Sequence, residues 1–298
     1  MSTQALPFIV LLGFMYGSTL VASRFSVGQF EPLTYIALRV TMAAIVHAAI
    51  YLAARNRPWP RERWLWIHAL VLGLFGTALP MSSMVISLTY LSSGIASILI
   101  TTSPAITVLM AHFLLDDERL TGRTIIGISL ALAGAILLAL RGETGLAEGA
   151  GSTVGYLLVM VPMFMGSAGT IYARKYMKNF DAFDVASIRM FAATVALIPL
   201  SLLAVGFDLA AVTSLGYGAL VYAALVGTFG GTMLAFYNIK RFGATASSMT
   251  AYVVPVVANI GGILFLDEIF TRGMLAGTGL IVLGIYIINR RQKAVSPK

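Results

Sequence analysis

Apolar residues in this chain come in long, nearly unbroken blocks, parted by short clusters rich in Arg, Lys, Asp, Glu, Gly and Pro. An α-helix rising about 1.5 Å per residue needs about 20 mostly apolar residues to cross the hydrocarbon core of a bilayer. Ten blocks meet or approach that length, over 6–22, 32–54, 64–91, 94–115, 124–140, 154–172, 183–205, 217–239, 244–266 and 273–289. The segments between them are short. The longest, RGETGLAEGAGST at 141–153, leaves no room for a separate soluble domain. No Lys or Arg precedes the first block, and no small-residue cleavage site follows it before Arg24. It therefore reads as a retained helix and not as a signal peptide. The expected fold class is an all-α integral membrane protein with ten transmembrane helices.

Composition agrees. Hydrophobic residues make up 58% of the 298 and charged residues only 11%, against about 25% charged in an ordinary soluble domain. Mean hydropathy is +0.89. This excludes a soluble enzyme and a disordered tail protein. With no cysteine, a disulfide framework, a thiol nucleophile and a zinc–thiolate site are excluded as well. The net charge of +8 is not gathered into a nucleic-acid-binding patch. It follows the loops instead. If the N-terminus is cytoplasmic, the cytoplasmic segments hold Arg55, Arg57, Arg61, Arg63, Arg119, Arg123, Arg174, Lys175, Lys178, Lys240, Arg241, Arg290, Arg291, Lys293 and Lys298, 15 of the 20 basic residues. The other side holds only Arg24, Arg141 and Arg272. The positive-inside rule then predicts that both termini are cytoplasmic in the inner cell membrane.

The chain also repeats itself. At an offset of 150 residues, Arg39 falls on Arg189, Asp117-Glu118 on Asp267-Glu268, Thr121 on Thr271, Gly127 on Gly277, Gly134 on Gly284 and Arg141 on Arg291. With a one-residue slip, Pro104 falls on Pro255 and Gly17-Ser18 on Gly166-Ser167. Residues 1–142 and 143–298 are thus expected to be five-helix repeats within one membrane domain. Five is odd, so the second copy lies inverted in the bilayer. Such inverted repeats are a transporter architecture.

These residues resemble the ten-helix, EamA-type members of the drug/metabolite transporter superfamily. The resemblance rests on Pro104, then Leu115-Asp116-Asp117-Glu118, then Gly127 and Gly134. It recurs as Pro255, Leu266-Asp267-Glu268, Gly277 and Gly284, and Leu38-Arg39 and Ile188-Arg189 add to it. It covers nearly the whole chain. It implies export of small molecules by alternating access, with amino-acid exporters of the YddG type as one option. It also implies a cavity lined by helices one, three, four, six, eight and nine. Helices five and ten, with their glycine rows, are expected at the periphery or in a homodimer contact. The membrane Glu by which small four-helix multidrug relatives couple to protons is absent from the matching stretch, Gly13 to Gly17.

Every Asp and Glu can be placed in a loop or at a helix end, so no mid-membrane carboxylate offers itself for ion coupling. His47, His68 and His112 lie near helix ends and read as interfacial contacts. Arg39 and Arg189 stand about two turns inside their helices. They are read first as structural residues that snorkel or bond helix carbonyls, and second as gate residues or a lure for a substrate carboxylate. Glu118 and Glu268 open helices and favour the dipole there, which makes them structural or gate residues too. Pro104 and Pro255 are candidate hinges. The candidate substrate-binding residues are Met15, Tyr16, Ser83, Thr101, Thr102, Ser167, Tyr237, Tyr252 and Asn259, with Met81 and Met84 as flexible apolar lining. No metal site or cofactor is expected. No HExxH or Gly-x-Ser-x-Gly pattern supports an enzyme. The expected function is export of a small, net-neutral, partly apolar metabolite, an amino acid before others. A proton-coupled drug exporter and a membrane-embedded enzyme are the alternatives.

Overall fold

Short connections force successive membrane-length helices to run up and down, and the computed structural model has them so. It describes residues 3–54, 57–115, 120–146, 153–242 and 249–290. The spans are α1 (Leu6–Val27), α2 (Pro32–Ala53), α3 (Arg63–Ser87), α4 (Ser93–Leu114), α5 (Gly122–Leu140), α6 (Thr153–Tyr176), α7 (Ala182–Ala204), α8 (Ser214–Asn238), α9 (Thr250–Leu266) and α10 (Arg272–Arg290). The first eight are long and apolar enough to cross a membrane, and α9 and α10 are shorter apolar helices. The end of the bundle from which α1 starts is here the proximal face, and the other end the distal face.

Local chemistry sets the helix starts. Extended Glu31 precedes Pro32, whose fixed φ suits a first helical position. Ser92, Asp181 and Thr213 cap α4, α7 and α8 by accepting backbone N–H bonds in the first turn. Three irregularities interrupt the spans. α3 and α8 each widen into a π-turn, at Leu74–Ala78 and Ala223–Gly230. α4 breaks at Thr101-Thr102, and Pro104 sits in the first turn of its second piece, Ser103–Leu114. Pro255, by contrast, lies inside a continuous α9.

The packing repeats under exchange of the halves. α1 packs on α9 as α6 packs on α4, and α3 on α6 as α8 on α1. α3 packs on α7 as α2 packs on α8, while α2–α7 and α5–α10 pair with their own equivalents. The fold is therefore two inverted five-helix repeats. In the α5–α10 pair the glycine rows face each other within the chain. A Cβ on Gly127 would fall 2.7 Å from the Gly284 carbonyl oxygen, and one on Gly134 would fall 2.6 Å from that of Gly277. Only glycine allows backbones so close.

α2 and α7 are pinned together at both ends. Distally, the Thr34 hydroxyl meets that of Ser201 at 2.9 Å and donates to the Gly206 carbonyl at 2.9 Å. Proximally, Tyr51 donates to Asp184 at 2.6 Å, and Arg57 pairs with Asp181 and with Asp184. Large apolar side chains such as Leu52, Leu140, Leu203 and Phe265 are more than three-quarters exposed. In a bilayer they meet acyl chains, which accounts for the apolar excess. All three tryptophans, Trp59, Trp64 and Trp66, gather at the proximal face, as an interfacial belt requires.

Candidate functional site

A cavity of about 300 Å³ lies between the halves. α1 contributes Tyr16, Thr19 and Ser23, α3 contributes Met81 and Met84, and α8 contributes Gly227, Thr228 and Thr232. Arg39 of α2 and Arg189 of α7 also line it, with Met190 beside the latter. Among the described lining residues there is no Asp or Glu. Leu88, fully buried, lines the distal end. A larger groove of about 700 Å³ runs between α1, α8 and α9, lined by Phe14, Phe25, Leu215 and Phe265. It offers almost nothing polar to hold the charged groups of a solute, so the smaller cavity is taken as the candidate site.

The two arginines are held in matching ways. Arg39 Nε donates to Thr228 Oγ1 at 2.8 Å, and its Nη1 donates to Ser23 Oγ at 3.0 Å. Arg189 Nε donates to Thr77 Oγ1, and its Nη2 approaches the Gly76 carbonyl at 3.5 Å. Each arginine thus crosses to the π-turn of the opposite half. Thr77 and Thr228 donate in turn to the carbonyls of Leu72 and Ala223, each five residues earlier, at 3.3 and 3.2 Å. Pro80 has no N–H for the Gly76 carbonyl, so Arg189 partly fills that gap. Tyr16 lies near enough to Arg189 to interact with its charge.

The other singled-out residues are placed elsewhere. Ser83 donates to the Leu158 carbonyl at 2.7 Å, the acceptor that Pro162 leaves free. Thr101 donates to Ser97 and approaches the Ala251 carbonyl at 3.3 Å, the acceptor that Pro255 leaves free. Thr102 is fully buried and donates to Leu99 within its own helix. Ser167 bonds to Met163, Ser103 and Thr107 in the α4–α6 seam. Asn259 donates to Pro255 at 2.8 Å, with its side chain against Gly94. Met15 lies against Gly230, one residue from the cavity wall. Tyr252 packs on the core formed by α4, α6 and α10. Tyr237 is 41% exposed and makes a tilted ring contact with Phe8 and an edge-on contact with Phe242. Of the nine candidate binding residues, Tyr16 alone lines this cavity. α6 adds nothing to the lining named for it, whereas α2 and α7 add the two charges. Glu118 lies outside the described residues.

Glu268 sits at the distal face. Its Oε1 accepts the Ser93 N–H at 2.7 Å, and its Oε2 accepts the Ser93 hydroxyl at 2.8 Å and the Gly94 N–H at 3.3 Å. The loop after α9 is thereby fastened to the start of α4. Burial pushes the Glu268 carboxyl above the ordinary glutamate range, while the Ser93 and Gly94 donors and the Arg24 charge pull it back.

Thr77, Thr228, Ser23 and Thr232 are not among the candidate binding residues read from the sequence. A signal existed for the first two: Gly76-Thr77 and Gly227-Thr228 recur at an offset of 151.

Comparison with known proteins agrees with the two-repeat fold. The profile of the EamA-like transporter family matches twice, over residues 3–140 and 153–290. An "uncharacterized transporter" of Archaeoglobus fulgidus is 26% identical over 280 residues, covering 93% of this chain and 95% of its own. The "uncharacterized inner membrane transporter YedA" of Escherichia coli K12 is 28% identical over 292 residues, covering 96% and 92%. A "probable terminal-alkyne amino-acid exporter" of Streptantibioticus cattleyicolor is 29% identical over 203 residues, covering 68% and 66%. A crystal structure 19% identical to this chain superposes with a TM-score of 0.68, covering 99% of this chain and 100% of the other. At that identity it speaks for the fold alone.

Proposed function

The chain belongs to the EamA-like transporter family, and on that premise we propose that it is a secondary transporter exporting small, net-neutral, partly apolar amino acids by alternating access. The observation that carries this reading is the cavity between the inverted halves. It holds hydroxyls, Tyr16, methionines and two guanidiniums, with no carboxylate among the described lining residues. A permanent cation would lack a counter-charge there. A zwitterion brings its own carboxylate, and Met81, Met84 and Met190 adapt to varied side chains. The amino-acid exporter among the relatives supports the same class.

Residues 1–142 and 143–298 rock against each other in this reading, with bends at Pro104 and Pro255. Movement runs down the substrate gradient without proton coupling. Proximal is cytoplasmic, because 15 of the 20 basic residues then lie inside. Efflux of labelled neutral amino acids from proteoliposomes, with and without a pH gradient, tests the mechanism. The proposal expects saturable efflux that the gradient does not drive uphill. Accumulation against the substrate gradient would refute the uncoupled mechanism in favour of proton coupling. For orientation, Pro297→Cys in this cysteine-free chain should be shielded from an impermeant thiol reagent in intact cells. Labelling from outside would refute it.

A further inference from the structure

Arg39 and Arg189 present a problem that the fold alone does not solve. Both line one cavity of about 300 Å³. Among the described residues their protein partners are neutral oxygens: Thr228, Ser23 and the Tyr35 hydroxyl for one, Thr77 and the Gly76 carbonyl for the other. Two positive charges held inside a membrane protein without a counter-charge are costly. A guanidinium's planar fork suits a carboxylate, which it can bind through two parallel bonds. Each fork is also oriented in advance, because its Nε is tied to a π-turn threonine of the opposite half. Such tethering lowers the cost of ordering the side chain when a ligand arrives.

Their positions add a second point. Arg39 stands about two turns from the distal end of α2, and Arg189 about two turns from the proximal end of α7. The exchange of halves that relates them also exchanges the two faces of the membrane. What one arginine does when the cavity opens proximally, its equivalent does when the cavity opens distally.

We infer that the two guanidiniums are a carboxylate relay: Arg189 holds the substrate's carboxylate in the proximal-open state, and Arg39 takes it over in the distal-open state. This deepens the amino-acid reading above and rests on it for the direction of flow, but the chemistry it names is the carboxylate alone. Thr77 and Thr228 act as positioning residues, keeping each fork turned toward the cavity.

The test uses the purified full chain with three probes that share a side chain: L-phenylalanine, its amide, and phenylacetate. In a thermal-shift assay the amino acid and phenylacetate should stabilise the protein at concentrations at least tenfold below the amide. The amide binding as well as the acid would overturn the relay, and so would chloride stabilising as well as phenylacetate. Sidedness is then read in oriented proteoliposomes. Arg189→Gln should raise the half-saturating concentration from the proximal side at least tenfold and change the distal value less than twofold. Arg39→Gln should do the reverse. Equal shifts on both sides, or none, would overturn the relay. If the glutamine variants fail to elute as monodisperse protein, Arg39→Lys and Arg189→Lys carry the same sided test. They keep the charge but lose the fork, and each should show a smaller shift on its own side only. The two readings fail separately. Phenylacetate binding that depends on both arginines, with no amino-acid flux, would remove the amino-acid reading and leave the relay. Flux of amino acids and their amides at equal half-saturation would do the opposite.

Discussion

Glu268→Ala removes the three acceptor contacts that fasten the α9–α10 loop to α4, from Ser93 N–H, Ser93 hydroxyl and Gly94 N–H. Bonds to a charged acceptor net about 1.5–3 kcal/mol each. The Gly94 contact at 3.3 Å is long and counts for little. The burial that raises the carboxyl's protonation offsets part of the other two. A net loss of about 2–4 kcal/mol follows. If these contacts exist only while the distal face is shut, the ratio of closed to open molecules falls roughly 30- to 1,000-fold, at about 1.36 kcal/mol per decade. The absence of native cysteine makes this measurable. Spin labels on Tyr90→Cys and Phe270→Cys would report the width of the distal face, since both positions are exposed in distal loops of opposite halves. Pulsed electron resonance should give one short distance in the parent and a second, longer population in Glu268→Ala. An unchanged distance distribution beside a lowered thermal midpoint would show that Glu268 serves folding and not gating.

Gly284→Ala would press a Cβ against two backbone atoms, the Gly127 carbonyl and the Ala131 nitrogen at 2.6 Å. It should destabilise by about 1–3 kcal/mol. Gly166→Ala meets nothing within 4 Å and should be neutral or stabilising by up to about 1 kcal/mol. Thermal midpoints in detergent compare the two, and equal effects would refute the packing account. Ser83→Ala should cost about 1–3 kcal/mol, because the Leu158 carbonyl loses its donor. The loss should shrink when Pro162→Ala restores a helical N–H, and a double-mutant cycle with no coupling would refute this pairing. Because burial raises the Glu268 carboxyl, its protonated form adds a stabilising increment on top of the hydrogen bonds that the carboxylate keeps, and that increment is complete below the ordinary glutamate pKa. The increment is lost as pH rises through the raised value. The parent's thermal midpoint should therefore fall more than that of Glu268→Gln over that rise, and parallel profiles would contradict it.

Membrane architecture was readable because hydropathy over about 20 residues depends on the solvent and not on tertiary detail. The offset of 150 that joins Arg39 to Arg189 is the same offset that separates the two family matches. Polar lining was harder to read. Ser83 and Thr101 look like cavity hydroxyls in a list of span residues. Their partners, the carbonyls of Leu158 and Ala251, lie on other helices, and only the α3–α6 and α4–α9 packing brings them near. A hydroxyl facing a proline-freed carbonyl and one facing a substrate have the same sequence appearance. Tyr237 illustrates a related point: its helix lines the cavity, but its ring packs against Phe8. The π-turns at Leu74–Ala78 and Ala223–Gly230 left no hydropathy mark. They shift which face of α3 and α8 meets the cavity, and so bring Thr77 and Thr228 to the arginines.

Transport itself is tested most directly by counterflow. Proteoliposomes holding the purified chain would be loaded with an unlabelled neutral amino acid at high concentration and diluted into a trace of the labelled form. The account predicts that label accumulates transiently above its equilibrium level, and only in vesicles that contain the protein. Label entering no faster than into protein-free vesicles for every amino acid tried, while a cationic drug does show counterflow, would contradict it.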